Sequence, residues 1–432
     1  MAPTLTVAAF SRVTQLASDR RVHKAFQWLH LHELQVMRWQ TELVGIAAPP
    51  FEERPRAEWL CDRFEELGLS DAKIDQMGNV LGVRKSSGGS GRSVLISAHI
   101  DTVFPSSTLI KPVLKETRLE APGACDNGAG VVCLLAIAAA MQHADIAPEC
   151  DLIFAGDVGE EGEGNLRGMR FLYGQPAFAS RIAAHLVIDG AGSEVAVTEA
   201  LGSHRYQVTL RGPGGHSWAN SENPNPIVAL SRAITRLSEA ELGTSPRTTV
   251  NVATVEGGTA TNVIPSHASA RFDFRSTTPE HLIRLEVELH RAVEDAVLAA
   301  NSENADKNSE KLQFFIEKIG MRPTGSLASD SPLYQALRAV DRHLNIRTEP
   351  RTASTDANIP LSLGVPAVSL GAGGTGGGIH TPQEWYDAKG REVGLRRVLL
   401  LALVLTNTQD TPLQRRSKLR PSSVEGAPDG LN

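Results

Sequence analysis

Two histidines and five acidic residues stand at points in this chain where a site could assemble. The segment LISAHID puts His99 and Asp101 two residues apart, so on an extended chain they share one face. LIFAGDVGEEGEGN presents adjacent Glu160 and Glu161, and LVIDG ends on Asp189. Between the first two apolar runs, the loop GACDNGAG carries Asp126, and the Gly-rich run GAGGTGGGIHTPQEW carries His380. Singly, each has an ordinary reading. Asp126 suits a turn or N-cap, the Glu pair a solvated loop, Asp189 a turn opening, Asp101 a loop cap and His380 plain packing. Gathered at the lip of one sheet, Asp126, Glu160, Glu161 and Asp189 would repel one another and be costly to desolvate unless a cation compensated them. A mixed His/carboxylate set suits Zn²⁺, and also Mn²⁺ or Co²⁺. Two ions roughly 3.5–4 Å apart, sharing one carboxylate, would use this many ligands.

Such a gathering needs strands to aim the side chains, and open α/β sheets collect their sites beyond the strand carboxyl ends. Short apolar runs at Val94–Ala98, Leu152–Ala155, Leu186–Ile188 and Ala367–Leu370 predict buried strands, with a strand-like pair around Asn79–Arg84. Ala129–Met141 is a helix apolar on nearly every side, Leu166–Tyr173 a shorter one and Arg391–Leu405 a terminal one. Apolar strands separated by helices predict a mainly parallel sheet with helices on both faces. Upstream, Val22–Val44 holds helix formers without Pro or Gly and predicts one helix, broken by AAPPF. A second follows with Ala57, Leu60, Cys61, Phe64 and Leu67 on one face and Gly68 as its C-cap.

The texture changes near Gly202. His204–Arg211, Thr249–Val255 and Ala268–Arg275 alternate as half-buried strands do, and Lys311–Ile319 is a fourth strand. Amphipathic helices near Pro226–Leu242 and Pro279–Ala300 lie among them, which makes an α+β layer. This layer, 203–320, interrupts an α/β domain formed by 1–202 and 321–407. The polar stretch 301–310 reads as a loop and 408–432 as a disordered tail.

Composition narrows the class. A net charge of −6 argues against a non-specific nucleic-acid binder, which needs clustered basic surface. The longest apolar run, Ala129–Met141, is too short to span a bilayer, and MAPTLTVAAF lacks the regions of a signal peptide. Cys61, Cys125, Cys133 and Cys150 form no CxxC pair and read as reduced core thiols, so the expectation is a cytoplasmic protein.

The motifs carry a family resemblance. HID at 99–101, CDNGAG at 125–130, GEEG at 159–162, IDG at 188–190, GPGGHS at 212–217, TNVIP at 261–265 and IHTPQE at 379–384 occur in this order. The chain, from about 25 to 407, resembles the M20 family of metallopeptidases and aminoacylases. The resemblance implies two divalent metal ions, His99 and Asp189 on one, Glu161 and His380 on the other, and Asp126 bridging. It implies that Asp101 orients His99 and that Glu160 is the general base, taking a proton from a metal-bridging water that attacks an amide carbonyl. The inserted layer resembles the family's lid and dimerisation domain, which implies a homodimer in which His216 steadies the oxyanion of the partner subunit's site. Asn262 and Arg275 match positions near the substrate, although an exposed strand arginine is equally ordinary. Asp356 in STDAN stands where the family often has a Gly-rich segment; Ser354 and Thr355 replace the glycine and serine. Cys125 reads better as a small buried filler than as a soft metal contact. The expected activity is exopeptidase cleavage of small peptides, with N-acyl-amino-acid deacylation as the alternative.

Overall fold

A computed structural model describes residues 3–407 except 90, 241, 243–244 and 304–309. The expected tail at 408–432, and most of the loop expected at 301–310, lie outside the described residues. The central sheet runs in the order Ser70–Ile74, Val80–Arg84, Asp151–Asp157, Ser93–His99, Ile182–Ile188, Ala367–Leu370, Val195–Ala200 and Gly325–Ser326. Its four middle strands, from Asp151–Asp157 to Ala367–Leu370, are mutually parallel. Antiparallel strands flank them, and Glu349–Ala353 joins Val195–Ala200 in parallel.

Burial explains why the middle strands read as unbroken apolar runs. Every residue of Ser93–His99 is buried. Val94, Ile96 and Ala98 face one core cluster, with helices Gly128–His143 and Arg391–Thr406. Leu95 points the other way, into a cluster with Met169 and Leu172 of helix Arg167–Tyr173. Period-2 alternation thus distributes one strand between two helix layers. The chain leaves Ser93–His99, passes through Gly128–His143 to the neighbour on one side, then through Arg167–Tyr173 to the neighbour on the other. That reversal opens a crevice at the carboxyl ends.

A second layer begins at Gly202. Its sheet is fully antiparallel, in the order Thr248–Gly257, His267–Ser276, Gly202–Arg211 and Gln313–Arg322. Tyr206, Val208, Leu210, Ala270, Phe272 and Phe274 pack beneath helices Pro226–Ser238 and Pro279–Glu303 in a core of their own. The two layers are joined through paired strands: Ala200 opposes Gly325 in the central sheet, and Ser203 opposes Arg322 in the second.

Two expectations need correction. Val22–Val44 is not one helix but two, Arg20–Leu31 and Glu33–Val44. At the break, the His32 backbone N–H donates to the Trp28 carbonyl, its Nδ1 lies 2.9 Å from the same oxygen, and its ring stacks on the Trp28 indole. Both pieces then lay buried faces on the core. The helix Pro3–Ala17 was not anticipated; its Val13 is buried in the same cluster as Leu337 and Val340 of helix Pro332–Leu344. No helix among the described residues is long and apolar enough to cross a membrane.

Candidate metal centre

The crevice collects side chains from five separate segments. His99 closes the central strand and is buried. Its Nδ1 lies 3.1 Å from the Asp101 backbone carbonyl, which can only accept, so Nδ1 carries the proton. That leaves the Nε2 lone pair facing Asp126 Oδ1 at 3.1 Å and Asp189 Oδ1 at 3.8 Å. On the other side of Asp126, His380 Nε2 is 3.1 Å from Oδ2 and 2.9 Å from Glu161 Oε1. His99, Asp126 and Asp189 form one group of convergent donor atoms, and Asp126, Glu161 and His380 form a second. The two groups share Asp126. His99, Glu160 and Glu161 also converge.

The electrostatics of the donor set fit cations. Asp126 is half-buried, which would raise its pKa, yet His380 and His99 hold its carboxyl well below the usual range. Asp126 and Glu161 push His380 up to about 10. Burial opposes charge on His99, but contacts with Asp101, Asp126 and Asp189 outweigh it and raise the imidazole well above its ordinary value. Carboxylates that draw both imidazoles toward the cationic form make a place where positive charge is stabilised. Such a field, with these donors, suits divalent cations.

Asp101 is placed beside His99, but its carboxylate is farther from Nδ1, at 3.6 Å, than its own backbone carbonyl. It instead accepts the backbone N–H of Glu160 at 3.0 Å and of Glu161 at 2.8 Å, which fixes the turn that separates the two side chains. Burial raises the Glu160 carboxyl to about 8, against the pull of the Arg322 guanidinium.

Several residues here went unread in the sequence. Glu384 accepts the backbone N–H groups of Gly123, Cys125 and Asp126 at 2.8–2.9 Å, tying the His380 loop to the Asp126 loop. It lay inside the quoted IHTPQE motif and could have been found there. Asn127 accepts from Gly130 and Gly190 and donates to Ile188 O, so it joins the helix start to the turn bearing Asp189. Gly130 permits this, since a Cβ there would meet Asn127 Oδ1 at 2.2 Å and Ile188 O at 2.5 Å. Arg322, which reaches Glu160, carried no local signal. Nor did Asp157, which lies under the site beside Asp356.

The residues expected at the substrate end all belong to the second layer. His216 and Asn262 come together in a small ribbon, where His216 pairs with Val263 and the Ser217 N–H donates to Asn262 O. Arg275 sits across Ser203 from Arg322, at the end of the second sheet that joins the α/β domain, and is held by Asp273 at 2.8 Å. Trp218, next to His216, is 87% exposed. The contacts that these residues make among the described residues do not reach the metal-ligand groups. Cys125 is buried, and a Cβ on Gly376 would meet its sulfur at 2.3 Å, as befits a space-filling thiol.

With this geometry in view, likeness to known proteins is informative. Mouse aminoacylase-1 is 25% identical over 230 residues, 49% of this chain and 54% of that protein. Acetylornithine deacetylase of Myxococcus xanthus is 24% identical over 69% of this chain and 86% of that one. The chain spans about half the length of the first curated relatives it matches. Among solved structures, a Staphylococcus aureus tripeptidase superposes with TM-score 0.70 at 22% identity, covering 87% of this chain and 99% of that one. A Bacillus subtilis dinuclear metal-binding peptidase of the M20 family gives 0.64 at 16%, covering 87% and 99%. These likenesses establish the mixed α/β fold with its mostly parallel central sheet. Residues 95–405 match the family described as peptidase family M20/M25/M40, and the chain belongs to it.

Proposed function

We propose that the chain is a two-metal-dependent exopeptidase that hydrolyses an amide bond in small peptides, with Glu160 as general base. The observation that carries this reading is a pair of donor groups that share Asp126, with the Glu160 carboxylate converging beside them on His99 and Glu161. His99 and Asp189 would hold one divalent ion, Glu161 and His380 the other, and Asp126 both. Zn²⁺ suits the donors best, with Mn²⁺ or Co²⁺ possible. When bound, such ions polarise the scissile carbonyl and make water more acidic. Glu160 takes the proton from the attacking water and returns it to the departing nitrogen. Asp101 keeps the Glu160 and Glu161 amides in register, so that one side chain ligates while its neighbour moves the proton.

The second layer serves in this reading as lid and dimer contact. His216 Nδ1 accepts from the Trp218 and Ala219 N–H groups, so a neutral ring carries its proton on Nε2. That N–H is a donor suited to an oxyanion across a homodimer. Asn262 stands beside it, and Arg275 offers a guanidinium for a substrate carboxylate. Free, mostly buried thiols suit a cytoplasmic setting.

A deacylase of N-acyl amino acids is the second reading, favoured by the relatives named aminoacylase-1 and acetylornithine deacetylase. The test is hydrolysis of a mixed panel followed by mass spectrometry, with chelated protein reloaded separately with Zn²⁺, Mn²⁺ or Co²⁺. Cleavage confined to free-amino di- and tripeptides selects the aminopeptidase or dipeptidase. Cleavage confined to N-acyl amino acids selects the deacylase, and cleavage of N-blocked peptides a carboxypeptidase. No turnover with any ion refutes both readings.

A further inference from the structure

The contacts between the second layer and the α/β domain converge on one short turn, residues 160–165, which also carries Glu160 and Glu161. Arg205 Nη1 donates to the Gly162 carbonyl at 2.7 Å, and Arg271 reaches the Glu163 carboxylate at 3.3 Å. The Met321 N–H donates to Asn165 Oδ1 at 3.0 Å, and Arg170 donates back to the Met321 carbonyl. The innermost contact is made by Arg322, the last residue of the strand Gln313–Arg322, where the chain leaves the second sheet.

Arg322 differs from the other buried arginines in what it holds. Arg56 spends its hydrogen bonds on the carbonyls of Ile46 and Ile100, and Arg397 is locked onto Asp341, Thr348 and Val195 O. Arg322 Nη1 donates to Glu160 Oε1 at 2.7 Å and to Ser354 Oγ at 3.2 Å, while Nη2 donates to the Glu160 backbone carbonyl. Both side chains of this ion pair are only 7% exposed. Asp356 is close enough for its charge to act on Arg322, and its carboxyl, like that of Asp157, has no hydrogen-bond donor among the described residues apart from its fellow acid. The guanidinium therefore grips Glu160 from the end of a strand of the second sheet.

We propose that Arg322 is a positioning residue for Glu160, through which the placement of the second layer is conveyed to the carboxylate that moves the proton. This rests on the reading of Glu160 given above. The bonds to Oε1 and to the backbone carbonyl fix both ends of the Glu160 side chain. With Oε1 engaged by a cation, and Oε2 making no hydrogen bond among the described residues, Oε2 is the oxygen presented for proton transfer. A displacement of the second sheet pulls on the strand end and turns that oxygen away. Displacements of about 1 Å cost ~10²-fold in rate when a reacting group must be in place.

The test is a double-mutant cycle in the full chain. Arg322→Gln is expected to lower kcat about 10²-fold with KM changed less than about threefold and metal content unaltered, and Arg322→Lys to recover part of the loss. In a Glu160→Gln background, Arg322→Gln should cost nothing further. A full additional loss in that background, or a raised KM with kcat kept, would overturn the proposal, because Arg322 would then be acting on the substrate. Hydrogen–deuterium exchange gives a readout independent of turnover: the 159–166 peptide should exchange faster in Arg322→Gln while Asp151–Asp157 does not. Unchanged exchange at 159–166 would refute the positioning role even if the panel had found a substrate. If Glu160→Gln keeps its turnover, or nothing is hydrolysed, the reading of Glu160 fails by itself, and the exchange result decides whether Arg322 holds the turn. Should Arg322→Gln not fold, Arg322→Lys carries both readouts.

Discussion

The two sheets solve the same burial problem in different ways. The central sheet is covered on both faces, so its middle strands are apolar throughout and only their ends can carry polar chemistry. The second sheet is covered on one face, so polar residues such as Arg205, Gln207, Arg271 and Asp273 alternate with Tyr206, Val208, Phe272 and Phe274 along its length. A doubly covered sheet confines function to one edge, and a singly covered sheet offers a whole face for contact. The metal-ligand groups lie at that edge, and Arg205 and Arg271 on that face meet the turn beside them.

If this contrast holds, substitutions should sort by region. Glu160→Gln, at the edge of the central sheet, should lower kcat by about 10²–10⁴-fold and leave metal content intact, read by turnover and metal analysis. Retained turnover would remove the edge from the chemistry. Phe272→Ala, in the second core, should cost about 3–5 kcal/mol. By calorimetry it should lower the melting of the second layer, with Phe154→Ala acting on the central sheet; identical thermograms would mean that the two cores unfold as one. Glu384→Gln weakens the charged tether between the His380 and Asp126 loops and should loosen metal affinity about 10–100-fold in chelator competition.

His185 gives a smaller, pH-dependent effect. It is buried between the Tyr173 hydroxyl and Ser97 Oγ, and burial lowers its pKa to about 3. The unfolded chain protonates it near the ordinary value of 6.5 while the folded chain does not. Its contribution is therefore complete above about pH 6.5 and is lost progressively as pH falls toward 3, by up to ~1.4 kcal/mol per unit. Denaturant titrations should show a shallower acid loss for His185→Gln than for the parent. The smallest effect belongs to the singly covered sheet: Arg271→Ala removes an exposed pair with Glu163 and should change stability by less than about 0.5 kcal/mol. A larger change would make that face part of a core.

What could be read in the sequence follows the same division. The middle strands were legible because double burial writes itself as apolar runs, and the edge residues because they follow those runs directly. His99, Asp126, Glu161, Asp189 and His380 do meet in one place. The break at His32 was illegible, since helix formers continue through it and only the Trp28 contacts interrupt them. Glu384 and Arg322 were missed for a different reason. Their partners lie 258 and 162 residues away; the IHTPQE motif marked Glu384 as a candidate without naming its partner, and nothing flanking Arg322 encodes a hydrogen bond over that distance. Asp101 shows the limit of spacing: two residues along a strand placed it beside His99, but not that its carboxylate would face the next strand's turn.

The tether made by Glu384 has a consequence for the order in which the molecule comes into being. The loops it joins lie far apart in the chain, and the Asp126 loop depends on it for three backbone partners. During synthesis the central strands and the whole second layer emerge before either His380 or Glu384. A nascent chain can therefore build the second core while its candidate ligand set is still incomplete, whereas the central core still waits for the buried helix Arg391–Thr406. Only when the Gly-rich segment docks do the last imidazole and the clamp for the Asp126 loop arrive together. Completion of the candidate ligand set is thereby made a late event of folding, and a chain cut short of residue 380 is expected to lose the core helix Arg391–Thr406 together with His380.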